Sequence, residues 1–189
     1  SVIFNGDGYS EDWHAEAEKR GLPNLKTTVD ALPALTSKEV LALFSKHKVL
    51  SRRELHSRLE IYLEQYVNTA SVESKLTVEM AKTIIYPAAV RYQSELATAG
   101  AAMKAIGAKF SMGTLDELTA LTDALQANVK VLEKTMAHEA STLLAEAKHV
   151  QTKILPAMLK VREAADGLEE IVSDDLWPLP TYQEILFIK

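Results

Sequence analysis

Cysteine is absent from the 189 residues. That removes disulfides, thiolate metal ligands and a thiol nucleophile, and it suits a reducing compartment. Glycine occurs only 7 times and proline 6 times, too seldom to punctuate a chain of many short strands. No apolar run approaches the roughly 20 residues that a membrane-spanning helix needs. A basic surplus is also missing: the net charge is −5 and the isoelectric point about 5.6. Proteins that bind nucleic acid displace phosphate counterions with a basic face, so neither nucleic acid nor membrane is an expected partner. The opening SVIFNGDGYS has no basic start and no signal-type apolar stretch. It has the look of a strand end followed by a turn, and a strand without a second strand points to a piece of something longer.

What is present favours helix. Ala, Leu, Glu and Lys dominate, and 47% of the chain is hydrophobic, enough for a core. After the turn Asn5-Gly6-Asp7-Gly8, Ser10 is a suitable N-cap with Glu11 and Asp12 in the first turn, and Gly21 can close that helix. A connector with Pro23 and Pro33 follows. Thr36 with Glu39, Ser51 with Glu54, and Thr114 with Glu117 each have the spacing of a capping box. The first opens a helix to about Lys46. The second opens helical sequence running to about Ala108, with Leu55, Leu59, Tyr62, Tyr66 and Ala70 along one stripe and Leu76, Met80, Ile84 and Ala88 continuing it. Pro87 predicts a kink near Thr83. The third opens a helix whose Leu115, Leu118, Leu121/Thr122, Leu125, Val129, Leu132 and Met136 repeat like a bundle seam. A further stripe runs through Val150, Ile154, Met158, Val161, Ala165 and Leu168. Pro156 lies either in the first turn of its helix or within one continuous helix.

The expected architecture is all-α: an antiparallel bundle of long helices with small N-terminal helices and a docked, extended C-terminal tail. Residues 1–50 read as a connector with short helices, 51–173 as the long-helix bundle, and 174–189 as the tail. The turns fall at Met112-Gly113 and near residue 145. Asp174 to Pro180 cannot continue a helix, and Tyr182 to Phe187 is apolar, so the tail is expected to pack on the bundle or on a neighbouring chain.

Chemistry is sparse. Asn5-Gly6-Asp7-Gly8 lacks the third glycine of a dinucleotide loop and the Gly-Lys-Ser/Thr of a P-loop, so it reads as a turn. His56, Glu60 and Glu64 share one helix face at a spacing that can hold a divalent metal. The zinc-protease pattern is missing, however, and polar contacts along the helix with Arg52 explain the set as well. His138 and His149 stand three helical turns apart, able to share a face without touching. No Gly-x-Ser-x-Gly elbow occurs. The acidic pairs (Asp116/Glu117, Glu169/Glu170, Asp174/Asp175) read as solvated charge, and the five methionines as core filler. No catalytic, cofactor-binding or metal residue is assigned.

Three segments carry a resemblance: VIFNGDGYSEDWHAEAEKRGLPNLKTTVDALPAL (Val2 to Leu35), ELHSRLEIYLEQYV (Glu54 to Val67), and WPLPTYQEILF (Trp177 to Phe187) preceded by ADGLEEIV. Together they are similar to the C-terminal region of type III glutamine synthetases, and Pro87 and Pro156 stand where that family tends to have proline. The resemblance implies a parent that joins ammonia to glutamate through a γ-glutamyl phosphate, using ATP and Mg2+ or Mn2+. It implies a cytoplasmic assembly of stacked hexameric rings with active sites between subunits. The catalytic residues would belong to a barrel preceding Ser1, of which SVIFNGDG would be the last strand. This segment would then be a non-catalytic part serving packing and assembly. Its partners would be the rest of the parent chain and sister subunits, with Trp177, Tyr182 and Phe187 as interface candidates. A free-standing helical scaffold or adaptor is the alternative, and a small metal-binding helical protein a third.

Overall fold

The structure, a computed structural model, describes residues 3–180 and 182–187; of the side chains of Tyr182 and Gln183 nothing is said. The described residues are helical with no strand among them. They divide into two compact units, Ser1–Tyr66 and Val67–Lys189.

In the first unit, α1 (Glu11–Lys19) starts at Ser10, whose hydroxyl accepts the Trp13 N–H. It ends where Gly21 takes φ +72°, letting the Leu22 N–H reach back to the Ala17 carbonyl. Residues 3–5, expected as a strand end, instead lie beside α1, with the Phe4 ring 4.7 Å from that of Trp13. α2 (Thr28–Ala31) is a single turn capped by Thr27, and its Val29 is buried. It runs into a 3-10 turn, Leu32–Thr36, and then α3 (Lys38–Lys46). The expected Thr36–Glu39 box is not made. Pro33 sets the 3-10 turn, Thr36 is consumed by it and donates its hydroxyl to the Pro33 carbonyl, and Ser37 caps α3 one residue later.

Ser51 and Glu54 do form their box. The Glu54 N–H donates to the Ser51 hydroxyl and the Ser51 N–H to the Glu54 carboxylate, at 3.3 and 2.6 Å. They start α4 (Arg52–Met80), which buries Leu55 and Leu63 in the first unit and Ala70 and Ser74 in the second.

The second unit continues with a π-helical turn, Ala81–Ile85, then α5 (Tyr86–Ala105), α6 (Gly113–Met136) and α7 (Leu143–His149). A second π-helical turn, Val150–Ile154, leads into α8 (Leu155–Glu169). α6 begins one residue before Thr114 and has no side-chain cap, so the Thr114–Glu117 box is also a correction. Gln93 of α5 donates to Thr119 of α6 at 3.0 Å, and Lys82 pairs with Glu133. As one number rises the other falls, so α5 and its π turn run antiparallel to α6. Asn128 bonded to the Lys160 carbonyl, and Gly167 packed on Leu121, put α8 antiparallel to α6 in the same way. α6 therefore runs opposite to two mutually parallel arms.

Its seam is buried as the spacing predicts: Leu118, Thr122, Leu125, Val129 and Leu132. Thr122 meets its own hydroxyl's need by donating to the Leu118 carbonyl. α8 faces it with Ala157, Val161, Ala164, Ala165 and Leu168. Alanines on that helix allow close approach. At Gly167 an added Cβ would sit 3.0 Å from Leu121 Cδ2.

Pro87 and Pro156 are each preceded by a π turn rather than by a break. The Tyr86 N–H bonds Ala81 and the Leu155 N–H bonds Val150, five residues back. A proline inside an α-helix clashes with the carbonyl four residues earlier; the wider π turn moves that carbonyl away. The two places share a pattern, Thr83-x-Ile85-x-Pro87-Ala88 and Thr152-x-Ile154-x-Pro156-Ala157. In both, the isoleucine and alanine are buried and the threonine hydroxyl donates four residues back, to Glu79 and Lys148 respectively. The arms flanking α6 are thus built alike.

The end of the chain departs from an extended tail. Residues 174–180 are irregular, but Tyr182–Leu186 forms a short helix, α9.

Candidate functional site

Each sequence candidate has a definite place. In the turn Asn5-Gly6-Asp7-Gly8, Asp7 is occupied locally: its carboxylate accepts the Tyr9 N–H at 2.9 Å and its carbonyl the Ser10 hydroxyl at 2.7 Å. Arg20 fastens the segment. Its Nε bonds Glu16 at 2.7 Å, its Nη1 donates to the Ile3 carbonyl at 2.9 Å, and its guanidinium lies 6.0 and 5.8 Å from the Phe4 and Trp13 ring centres. The hydrogen bond from Arg20 holds the Glu16 carboxyl below the ordinary carboxylate range. A broad depression of about 750 Å³ runs beside α1, lined among others by Gly8, Glu11, Trp13, His14 and Asn24.

His56, Glu60 and Glu64 are all exposed on α4. Among the described residues no group of three or more His, Asp or Glu side chains is placed to hold a metal ion. Tyr66, on the same helix, has its phenol pushed up by burial.

In the second unit an apolar groove of about 560 Å³ lies between the end of α4 and α8. Met80, Ile85, Leu155, Met158 and Leu159 line it together with Trp177 and Leu179. Two of its charged members, Arg162 and Asp166, are bonded to each other at 2.5 Å. Trp177 is half-buried, and its Nε1 is fully buried without a hydrogen-bond partner. Phe187 stands 71% exposed, with Ile185 and Leu186 exposed beside it. Tyr182, the third interface candidate, has its side chain outside the described residues. These surfaces can bury apolar area against another protein segment.

One juxtaposition was not foreseen. The rings of His138 and His149 stack, centroids 4.2 Å apart. The expectation that they share a face without touching assumed unbroken helix between them. In fact α6 stops at Met136, residues 137–142 reverse the chain, and α7 brings His149 back over the end of α6.

The profile of the glutamine synthetase C-terminal domain matches residues 1–104. The chain belongs to that family. Over its whole length it is 33% identical to the type-3 glutamine synthetase of Dictyostelium discoideum, of which it covers 27%. It is 33% identical, over 98% of its length, to the glutamine synthetase of Butyrivibrio fibrisolvens, and 32% identical, over all of it, to that of Bacteroides fragilis, again covering 27% of each. The chain thus spans about a quarter of the length of these relatives. Among the described residues no helix is long and apolar enough to cross a membrane.

Proposed function

We propose that this chain is the C-terminal helical part of a cytoplasmic polypeptide that ligates ammonia to glutamate at the expense of ATP, with Mg2+ or Mn2+ at the phosphates. In this reading ATP, metal and glutamate are held by residues upstream. The present helices act by packing against the rest of the polypeptide and against sister subunits of a homo-oligomer. The observation that carries it is the alignment of 98% or more of the chain with 27% of each relative, within a family described as a C-terminal domain. The exposed Ile185-Leu186-Phe187 and the apolar groove beside Trp177 support contact surfaces rather than catalysis.

The test compares the isolated 189 residues with the intact polypeptide. ATP- and Mg2+-dependent glutamine formation is expected of the intact polypeptide alone; turnover by the isolated segment overturns the division of labour. The paired variant Leu186→Ser with Phe187→Ser is expected to lower the sedimenting mass of the intact assembly while leaving the helical circular dichroism unchanged. An assembly that keeps its mass removes these residues from the interface.

A further inference from the structure

We propose that the hollow between the first π turn and α6 is a binding site for a small monocarboxylate with an apolar body. The hollow is a cavity of about 320 Å³ in the second unit. Its base is apolar, made by Ala81 of the π turn with Leu125 and Val129 of α6, all three buried. Its rim is polar. Lys82 and Glu133 meet there as an ion pair, and Tyr86, Gln126 and Lys130 complete the lining. Among the described residues the Tyr86 hydroxyl, the Gln126 amide and the Lys130 ammonium enter no hydrogen bond or ion pair. Uncommitted polar groups around an apolar base are what a small-molecule site presents.

The repeat between the two arms shows why the space exists. Aligned on Pro87 and Pro156, Ala81 stands where the other arm has Val150, and Val150 fills its place at 1% exposure. Lys82 and Tyr86 stand where the other arm has Gln151 and Leu155. Each of the three residues that the first arm gives to the cavity therefore departs from its counterpart. The one at the base is smaller, and the two at the rim bring a charge and a hydroxyl. A π turn inside a helix is itself a frequent companion of functional sites.

The lining also sets the chemistry of the occupant. Hydrocarbon suits the base, from which it displaces water. Two lysines against one glutamate leave a single positive charge on the rim, which one carboxylate balances. Lys130 carries that charge, since Lys82 is engaged with Glu133, and Tyr86 and Gln126 supply neutral donors. A phosphate dianion brings more charge than the rim offsets and nothing for the base.

Hexanoate serves as the probe on the intact polypeptide, and a ligand of its size is expected to bind in the millimolar range. Reductive methylation of lysines, read peptide by peptide in a mass spectrometer, reports occupancy at the site itself. Hexanoate is expected to slow methylation of Lys130 about fivefold or more relative to Lys134 and Lys153, whereas inorganic phosphate does not. Ala81→Val puts into the base the side chain that the other arm carries, and is expected to abolish the protection. In calorimetry Lys130→Gln is expected to weaken hexanoate about fivefold, the attraction of one unit charge at contact even in water, and to leave 1-hexanol unchanged. Should Ala81→Val fail to fold, this surface change decides. Absence of protection, equal protection by phosphate, protection that survives in folded Ala81→Val, or an equal loss of hexanoate and 1-hexanol in Lys130→Gln overturns the site.

Discussion

Ser51 and Glu54 share the start of α4 between them, each accepting the other's backbone N–H. Ser51→Ala is expected to cost about 1 kcal/mol, read from chemical denaturation. The hydrogen bond from Ser51 holds the Glu54 carboxyl below the ordinary range. A carboxyl lowered in the folded state contributes stability above its unfolded value, and that contribution is lost as pH falls through the folded one. Exchange protection at residues 52–56 is therefore expected to weaken on acidification below about pH 4 in the native protein, and to show no such dependence in Glu54→Gln. Gly167 is constrained in another way: a methyl there must push Leu121 aside. Gly167→Ala is expected to destabilise by roughly 1–3 kcal/mol, the cost of overpacking, and pairing it with Leu121→Ala should recover part of the loss of the glycine change. Full additivity of the two changes would show that the side chains do not compete for the same space.

At the scale of elements, the α6 seam was legible because a helix buries one side, and Leu118, Leu125 and Leu132 recur at intervals of seven. Leu118→Ala is expected to cost about 2–5 kcal/mol in an unfolding titration. Ser10 and Ser51 were legible as caps for a local reason, since a hydroxyl or carboxylate serves N–H groups two or three residues away. Thr36 was misread because the proline three residues earlier tightened the backbone through it, a steric effect that capping preference does not see. The π turns were missed because helical periodicity tolerates one extra residue; only the repeated Thr-x-Ile-x-Pro-Ala carried a signal. Pro87→Ala is expected to change stability by less than about 1 kcal/mol, because the wide turn already takes up the clash that costs about 3 kcal/mol in a regular helix. A gain near that larger figure in thermal melting would show that the proline strains the native helix. The histidine stack was missed for a third reason: the pair was counted as three turns of one helix although a turn was expected near residue 145, and the chain in fact reverses at residues 137–142.

For the molecule as a whole, the two units differ in what holds them. The first leans on short capped helices and the clasp of Arg20 over Phe4 and Trp13. The second is built on α6 and its two like arms, with Trp177 among the residues that line the groove beside α8. The chain's two tryptophans are thereby divided, one to each unit. The surroundings of the two indoles also differ, Trp13 half-exposed beside a cation and Trp177 with its nitrogen shut away from any acceptor. Nature has in effect fitted a separate fluorescent gauge to each half. Trp13→Phe leaves an emission that reports on the second unit, Trp177→Phe one that reports on the first, and the order in which the halves come apart can be watched without attaching any dye.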